Sequence, residues 1–382
     1  MPDLLWLGLF MLAVGSGWWL GRRDWQPLRQ RRAARAISEN HRLDGASDAA
    51  LRRFGESLGV AAETFEAHLE LGRQYRLRGD LQRATQTHQN LLGRPELERA
   101  QQARAQLELA RDFLAAGVYS RAERLLLDLL EAPSALTGEA LRALQRIYEH
   151  ERDWAQAIET GRRLATEDPA QRTALAHYAC EWAGQCLRRG ALEDARRLLE
   201  QALASDPACV RASLLLARLD GERGERGSAI RRLLQAADQD ADFLGEILAP
   251  LLEHARQSHE LERLESWLRE RLETARGSGR DALLLTLAEV LQAQGAPDAG
   301  QVLRTALAEQ PSLALLQRLL ASTPAVDARL QEELQQAVAR LQAEQPAWRC
   351  RQCGFQARQL HWQCPACHGW AVLRPRGGAA RA

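Results

Sequence analysis

Lysine is absent from this chain: all 51 basic residues among its 382 are arginine. That removes the phosphate-cradling P-loop with its lysine, and every Schiff-base lysine, from the chemistry available. No Gly-x-Ser-x-Gly elbow and no His-Glu-x-x-His helix occurs either. Net charge is scarce as well. The 51 basic residues face 50 acidic ones, for a formal charge of +1, and the two signs are interspersed. Phosphate-backbone binding wants a basic stripe, so nucleic acid is excluded as the expected partner. Aromatics make up 5% of the chain and strand-like alternation is missing, which excludes a β-rich domain. The nine histidines are scattered through helical pattern, and Cys180, Cys186 and Cys209 fall in helices without an activating neighbour. The chain reads as a binding protein and not as an enzyme.

Against this background four cysteines stand out: Cys350, Cys353, Cys364 and Cys367. Two Cys-x-x-Cys pairs supply the four ligands of a tetrahedral sulfur site, which suits zinc or a single iron. A thiol redox pair usually comes alone and inside a βαβ pattern, which is absent here. The segment from Trp348 to Pro375 is too short to bury a self-sufficient core, so a metal ion has to supply folding energy. Gly354 and Pro365 sit where tight turns around the thiolates need them. Four thiolates leave no open position for metal catalysis, while one-electron transfer at iron stays open.

Leu4 to Gly21 is an 18-residue run without a charge. At ~1.5 Å per residue it spans about 27 Å, the thickness of a hydrocarbon core. Trp6, Trp18 and Trp19 lie near its ends, as interfacial aromatics do, and bulky residues fill the place where a signal peptide would be cleaved. Arg22, Arg23, Arg29, Arg31, Arg32 and Arg35 follow it. The positive-inside rule then puts the rest of the chain in the cytoplasm, with these arginines near inner-membrane lipids. Residues 1–21 are accordingly expected to be an anchor and residues 22–36 a basic linker.

Residues 37–345 are rich in alanine, leucine, arginine and glutamate, all good helix formers. A small residue recurs after successive turns: Ala50, Ala84, Ala122, Ala157, Ala195, Ala229, Leu264 and Ala299. The steps are 34, 38, 35, 38, 34, 35 and 35 residues, the period of paired helices stacked as a solenoid. The expected fold class is therefore all-α, about eight helical pairs, with a terminal metal knuckle. A last helix over Val326–Glu344 is expected to cap the apolar end of the array.

The ladder resembles tetratricopeptide repeats. Gly72, Tyr75 and Ala84 match one repeat; Leu144, Tyr148, Ala157 and Pro169 a second; Trp182, Ala195 and Pro207 a third; Ala299 and Pro311 a later one. The resemblance implies a right-handed superhelix whose first helices line a concave groove. The residue after the glycine position would point into it: Arg73, Arg111, Arg146, Gly184, Arg218 and Glu253. A row of Arg73, Arg111, Arg146 and Arg218 suits bidentate recognition of partner carboxylates, as an alternative to a merely solvated face.

Anchor, repeat array and four-cysteine knuckle, in that order, resemble the lipopolysaccharide assembly protein B (LapB) family. The match is firmest at Cys350–Phe355 and Trp362–Cys367, in a knuckle that the family describes as rubredoxin-like. Two departures from ordinary rubredoxins are visible. Ten residues separate the cysteine pairs, and His368 replaces the usual glycine after the last cysteine. The resemblance implies a single-pass inner-membrane adaptor with a cytoplasmic domain that regulates lipopolysaccharide synthesis. Its implied partners are a membrane ATP-dependent protease, the lipid A deacetylase it degrades, and an antagonistic lipopolysaccharide-sensing membrane protein. Homo-oligomerisation stays open, and so do two other readings: a rubredoxin-type electron carrier whose repeats dock a redox partner, and a generic envelope-assembly scaffold.

Overall fold

The computed structural model describes residues 49–51, 53 and 64–376, apart from 133, 167, 169, 297–298, 323–327 and 345. The Leu4–Gly21 run and the basic linker lie outside the described residues. Among those described, no helix is long and apolar enough to cross a membrane. The chain divides into two compact units, Met1–Arg152 and Asp153–Ala382.

The first unit stacks α1 (Phe65–Leu77), α2 (Leu81–Leu92), α3 (Arg99–Ala115), α4 (Tyr119–Leu130) and α5 (Thr137–Glu151). Each helix packs on the next, and α3 also touches α1 and α5, so alternate helices form one layer. Local signals start the helices. The Asp80 carboxylate accepts the Arg83 N–H at the head of α2, and Glu98 with Gln101 closes a capping box at the head of α3.

The second unit continues with α6 (Trp154–Ala165), α7 (Gln171–Arg188), α8 (Leu192–Ser205), α9 (Val210–Glu222), α10 (Arg226–Gln239), α11 (Leu244–Gln257), α12 (Leu261–Thr274), α13 (Gly277–Ala293), α14 (Ala299–Glu309), α15 (Leu313–Ser322) and α16 (Ala328–Glu344). A short 3-10 turn, Ala241–Phe243, precedes α11. The knuckle follows as three strands, β1 (Trp348–Cys350), β2 (Gln356–Ala357) and β3 (Leu373–Pro375), antiparallel in the order β2-β1-β3.

The turn within each pair has a shared geometry. Gly79, Gly117, Arg152, Gly190, Gly224, His259 and Gly295 all adopt positive φ. Where the residue is glycine or His259, the next N–H returns to a carbonyl in the preceding helix, as from Asp80 to Tyr75 and from Ala191 to Cys186. This left-handed cap satisfies the helix's last carbonyls and is easiest for glycine. Five residues after it comes the ladder residue, which places Ala84, Ala122, Ala157, Ala195, Ala229 and Leu264 on the inner face of the following helix, all buried. The ladder holds at its end and is corrected by one residue at its start. Ala299, four residues after Gly295, packs on the core and is followed at the ladder spacing by buried Leu303 and Ala306. At the start Ala50 is exposed, and Leu51 is the residue buried against Leu71, Tyr75 and Ala84. Cys186 occupies the position of Tyr75 and Tyr148, four residues before the left-handed residue, and is buried as a packing group.

The last helix, α16, packs on α15. Gln331 and Gln335 donate to the Leu320 carbonyl, and Val338 is buried. Its own Leu334 and Leu341 stay exposed. The knuckle does not extend the array beyond α16. It folds back onto α7, α9 and the Ala241–Phe243 turn.

Candidate metal centre and partner-binding cleft

Strand β1 carries Cys350 into a turn that ends at Cys353, and a second turn joins Cys364 to Cys367. The turns are built alike. The Gly354 N–H bonds the Cys350 carbonyl at 3.1 Å, and the His368 N–H bonds the Cys364 carbonyl at 2.9 Å. Both Gly354 (φ 77°) and His368 (φ 57°) are left-handed. His368 therefore fills a glycine position at a conformational cost of about 1–2 kcal/mol.

The four Sγ atoms lie within 4.8 Å of one another. Cys350 to Cys367 and Cys353 to Cys364 are each 3.7 Å. That is too long for a disulfide, whose sulfurs stand about 2.05 Å apart. It matches the edge of a tetrahedron with a metal at its centre: a Zn–S length of ~2.3 Å gives sulfurs about 3.8 Å apart. The Cys353 N–H also points at the Cys350 sulfur, at 3.5 Å. Burial opposes ionisation of Cys350, but the N–H groups of Cys353 and Gln352 and the neighbouring thiols bring it down to about 7. The Gly369 N–H favours a thiolate at Cys367, yet desolvation and the other three cysteines push that thiol up to about 12. Sulfurs this close do not all carry charge unless a cation sits among them. The donor set and spacing fit one tetrahedral ion, and they leave no open position for Lewis-acid chemistry.

Aromatic side chains seat the knuckle. Trp370 stacks on His177 at 5.2 Å between ring centroids and meets Tyr178 edge-on at 5.7 Å. Trp362 stacks on Phe243 at 5.2 Å and lies under Arg211. Trp348 stacks on Phe243 at 6.0 Å. Around them Arg351 pairs with Asp242, and Arg374 with Asp240 and Asp242. Trp348, Cys350, Ala357, Cys364 and Leu373 thereby join the same apolar core as α10, α11 and α13. His177 is 2% exposed, and its Nδ1 has no hydrogen-bond partner. Burial, helped by Arg211, lowers its pKa to about 3, so it is neutral at physiological pH. Burial and the adjacent Cys209 also push the Cys180 thiol well up, away from nucleophilic use.

In the first unit the corresponding face is open. A cleft of about 750 Å³ is lined by Glu66, Leu69, Glu70, Arg73, Arg104, Leu107, Glu108, Arg111, Leu136 and Glu139. Of the expected arginine row, the structure brings Arg73 and Arg111 together here. Arg146 is exposed on α5 without lining the cleft, and Arg218 belongs to the second unit, where it pairs with Glu222 at 2.9 Å. The arginines are not free cations. Arg73 pairs with Glu70 at 2.9 Å, Arg104 with Glu66, and Arg111 with Glu108 and Glu139. Burial works against the charge on Glu108, but Arg76 and Arg111 hold its carboxyl below the usual range. The cleft is thus a charge-paired surface with three leucines in its lining, in place of the cationic row expected.

Sequence reasoning missed the position that matters most. Seven residues before Arg73, Arg111, Arg146, Gly184 and Arg218 stand Glu66, Arg104, Glu139, His177 and Arg211. Three of them line the cleft and two hold the knuckle. A signal for the docked face was present, since three of the ten tryptophans fall between Trp348 and Trp370 in a chain poor in aromatics.

A stack of helix pairs bearing a four-thiolate knuckle defines a tetratricopeptide-repeat protein with a rubredoxin-type metal-binding domain. The comparisons agree: residues 187–249 match the tetratricopeptide repeat and residues 348–375 the rubredoxin metal binding domain. Lipopolysaccharide assembly protein B of Escherichia coli (strain K12) is 32% identical over 390 residues, covering 99% of each chain. The protein of the same name from Haemophilus influenzae is 31% identical over 396 residues, covering 98% of each. The chain belongs to the lipopolysaccharide assembly protein B family.

Proposed function

We propose that this protein is an inner-membrane adaptor that regulates lipopolysaccharide biosynthesis. It presents the lipid A deacetylase of the committed step to a membrane ATP-dependent protease, and a lipopolysaccharide-sensing membrane protein opposes it. The observation that carries this reading is similarity to lipopolysaccharide assembly protein B along the whole chain, anchor segment and knuckle included. The side chains are consistent with a role in binding. The cleft of the first unit offers paired arginines and glutamates that can exchange partners with a client's charges. The Leu4–Gly21 segment is read as a tether that raises the effective concentration of a client beside a membrane protease. The ion held by Cys350, Cys353, Cys364 and Cys367, iron or zinc, serves the knuckle's fold.

The test is the half-life of the deacetylase in cells depleted of this protein. A longer half-life that re-expression reverses supports the adaptor reading; an unchanged half-life overturns it. Re-expression of an Arg104→Glu/Arg111→Glu variant, which places like charges beside Glu66, Glu108 and Glu139, is expected to leave the half-life long.

A further inference from the structure

The C-terminal domain holds the chain's most one-sided charge. Residues 346–382 contain six of the 51 arginines and none of the 50 acids, which leaves the rest of the chain with five acids in excess. Two of the six are engaged in docking, Arg351 and Arg374, against Asp240 and Asp242. The strand register shows where others go. Arg349 stands opposite Gln356 of β2 and Arg374 of β3. Side chains alternate across a sheet, so these three share one face. Arg358 follows β2 by one residue with the parity of Gln356, and Arg376 follows β3 with the parity of Arg374, its N–H bonded to the Ala347 carbonyl. Apart from Arg374, which is half-buried and held by Asp240 and Asp242, the burial pattern agrees. Gln356, Arg349, Arg358, Ala347 and Arg376 are exposed, while Trp348, Cys350, Ala357 and Leu373 on the other face are buried. Among the described residues, Arg349, Arg358 and Arg376 have no carboxylate partner, unlike the arginines of the cleft.

We propose that this outward face of the knuckle, Arg349, Arg358 and Arg376, is a contact surface for the anionic headgroups of a phospholipid bilayer. The three arginines are exposed on or beside the sheet and line neither the cleft of the first unit nor the apolar pocket beside Trp267, so they suit a diffuse anionic plane better than one fixed carboxylate. The sequence itself implies such a plane, through the charge-free run Leu4–Gly21 and the arginines that follow it. Such a contact holds the metal domain against the leaflet without inserting apolar groups. Each arginine near a charged surface strengthens binding about fivefold, and salt screens the effect. This goes beyond the adaptor reading and does not depend on the identity of any client.

The test uses the full chain reconstituted in phosphatidylcholine vesicles, with or without roughly 30% phosphatidylglycerol. Hydrogen exchange is followed over residues 346–376. Exchange is expected to slow in the anionic vesicles and to recover when salt is raised. A variant with Arg349, Arg358 and Arg376 all changed to Gln should lose the slowing, corresponding to surface binding about 100-fold weaker. The triple change to Lys should keep it. Unaltered bound metal shows that each variant has folded, and the single Arg358→Gln protein, about fivefold weaker, serves if the triple variant does not. Equal exchange in both vesicle types overturns the proposal. So does slowing by inorganic phosphate in neutral vesicles, or slowing by an acidic polypeptide but not by the anionic bilayer.

Discussion

The first helices of the repeats meet two different fates in the two units. At the same register position, Glu66, Arg104 and Glu139 leave an open cleft lined by ion pairs, whereas His177 and Arg211 are covered by the chain's own C-terminal domain. Repeat geometry alone does not choose between these outcomes; side chains do. Charged residues that satisfy one another stay solvated and exchangeable, because surface ion pairs are worth ~1 kcal/mol or less. Aromatic and desolvated residues recruit a partner, because burying a Trp or Phe side chain contributes roughly 1.5–3 kcal/mol. In the second unit that partner is built in.

The sharpest way to break the comparison is to remove the metal site. Cys364→Ser deletes a fully buried ligand. Structural zinc sites contribute about 10 kcal/mol or more to such domains, so the knuckle should unfold and leave the array. Hydrogen exchange should then accelerate in α7 and α9 while α1–α4 stay unchanged; unchanged exchange in α7 would refute the docking role.

A smaller effect belongs to the first unit. Asp112, fully buried, accepts from Arg76 at 2.7 Å and from the buried His88 ring, tying α1, α2 and α3 together beneath the cleft. Asp112→Ala removes one partner of a buried charge network, which typically costs about 3–5 kcal/mol. Chemical denaturation should show the loss in the first unit alone.

Acid should act on the second unit. His177 has a folded pKa of about 3, below its ordinary value near 6.5, so the unfolded or undocked state takes up the proton first. Its contribution is therefore complete above about pH 6.5 and lost as pH falls towards 3. Between pH 7 and 5 the loss is about 2 kcal/mol. Tryptophan fluorescence of the docked knuckle should follow it, and His177→Phe should flatten the profile.

The smallest expected change is a gain. Arg152 and His368 hold positive φ at positions where equivalent turns use glycine. Arg152→Gly and His368→Gly should each stabilise by about 1 kcal/mol, in the array and in the knuckle respectively. Thermal melting of the array and metal retention by the knuckle would measure the two separately.

Much of this was legible in the residues themselves. The four cysteines announced a metal site because two close pairs have few other uses, and the geometry brings their sulfurs to tetrahedral spacing. The small-residue ladder announced helix pairs because close approach demands a small side chain. Its register slipped by a residue at Ala50, which is exposed while Leu51 packs inward. The groove arginines were located only in part. Arg73 and Arg111 do face the cleft, but the glutamates that neutralise them come from other turns and other helices, and spacing within one repeat does not show them.

Sequence by itself determined the local events: where helices start and turn, which residues are small enough to be crossed, and which thiols stand in pairs. These depend on neighbours a few positions apart, and the chain carries that information directly. Tertiary structure decided what meets across long separations. It set Arg351 against Asp242, 109 residues away, laid Trp370 on His177, and paired Arg111 with Glu139. Those contacts arise where apolar surface is left over after local folding, and only the assembled stack shows which surface is left.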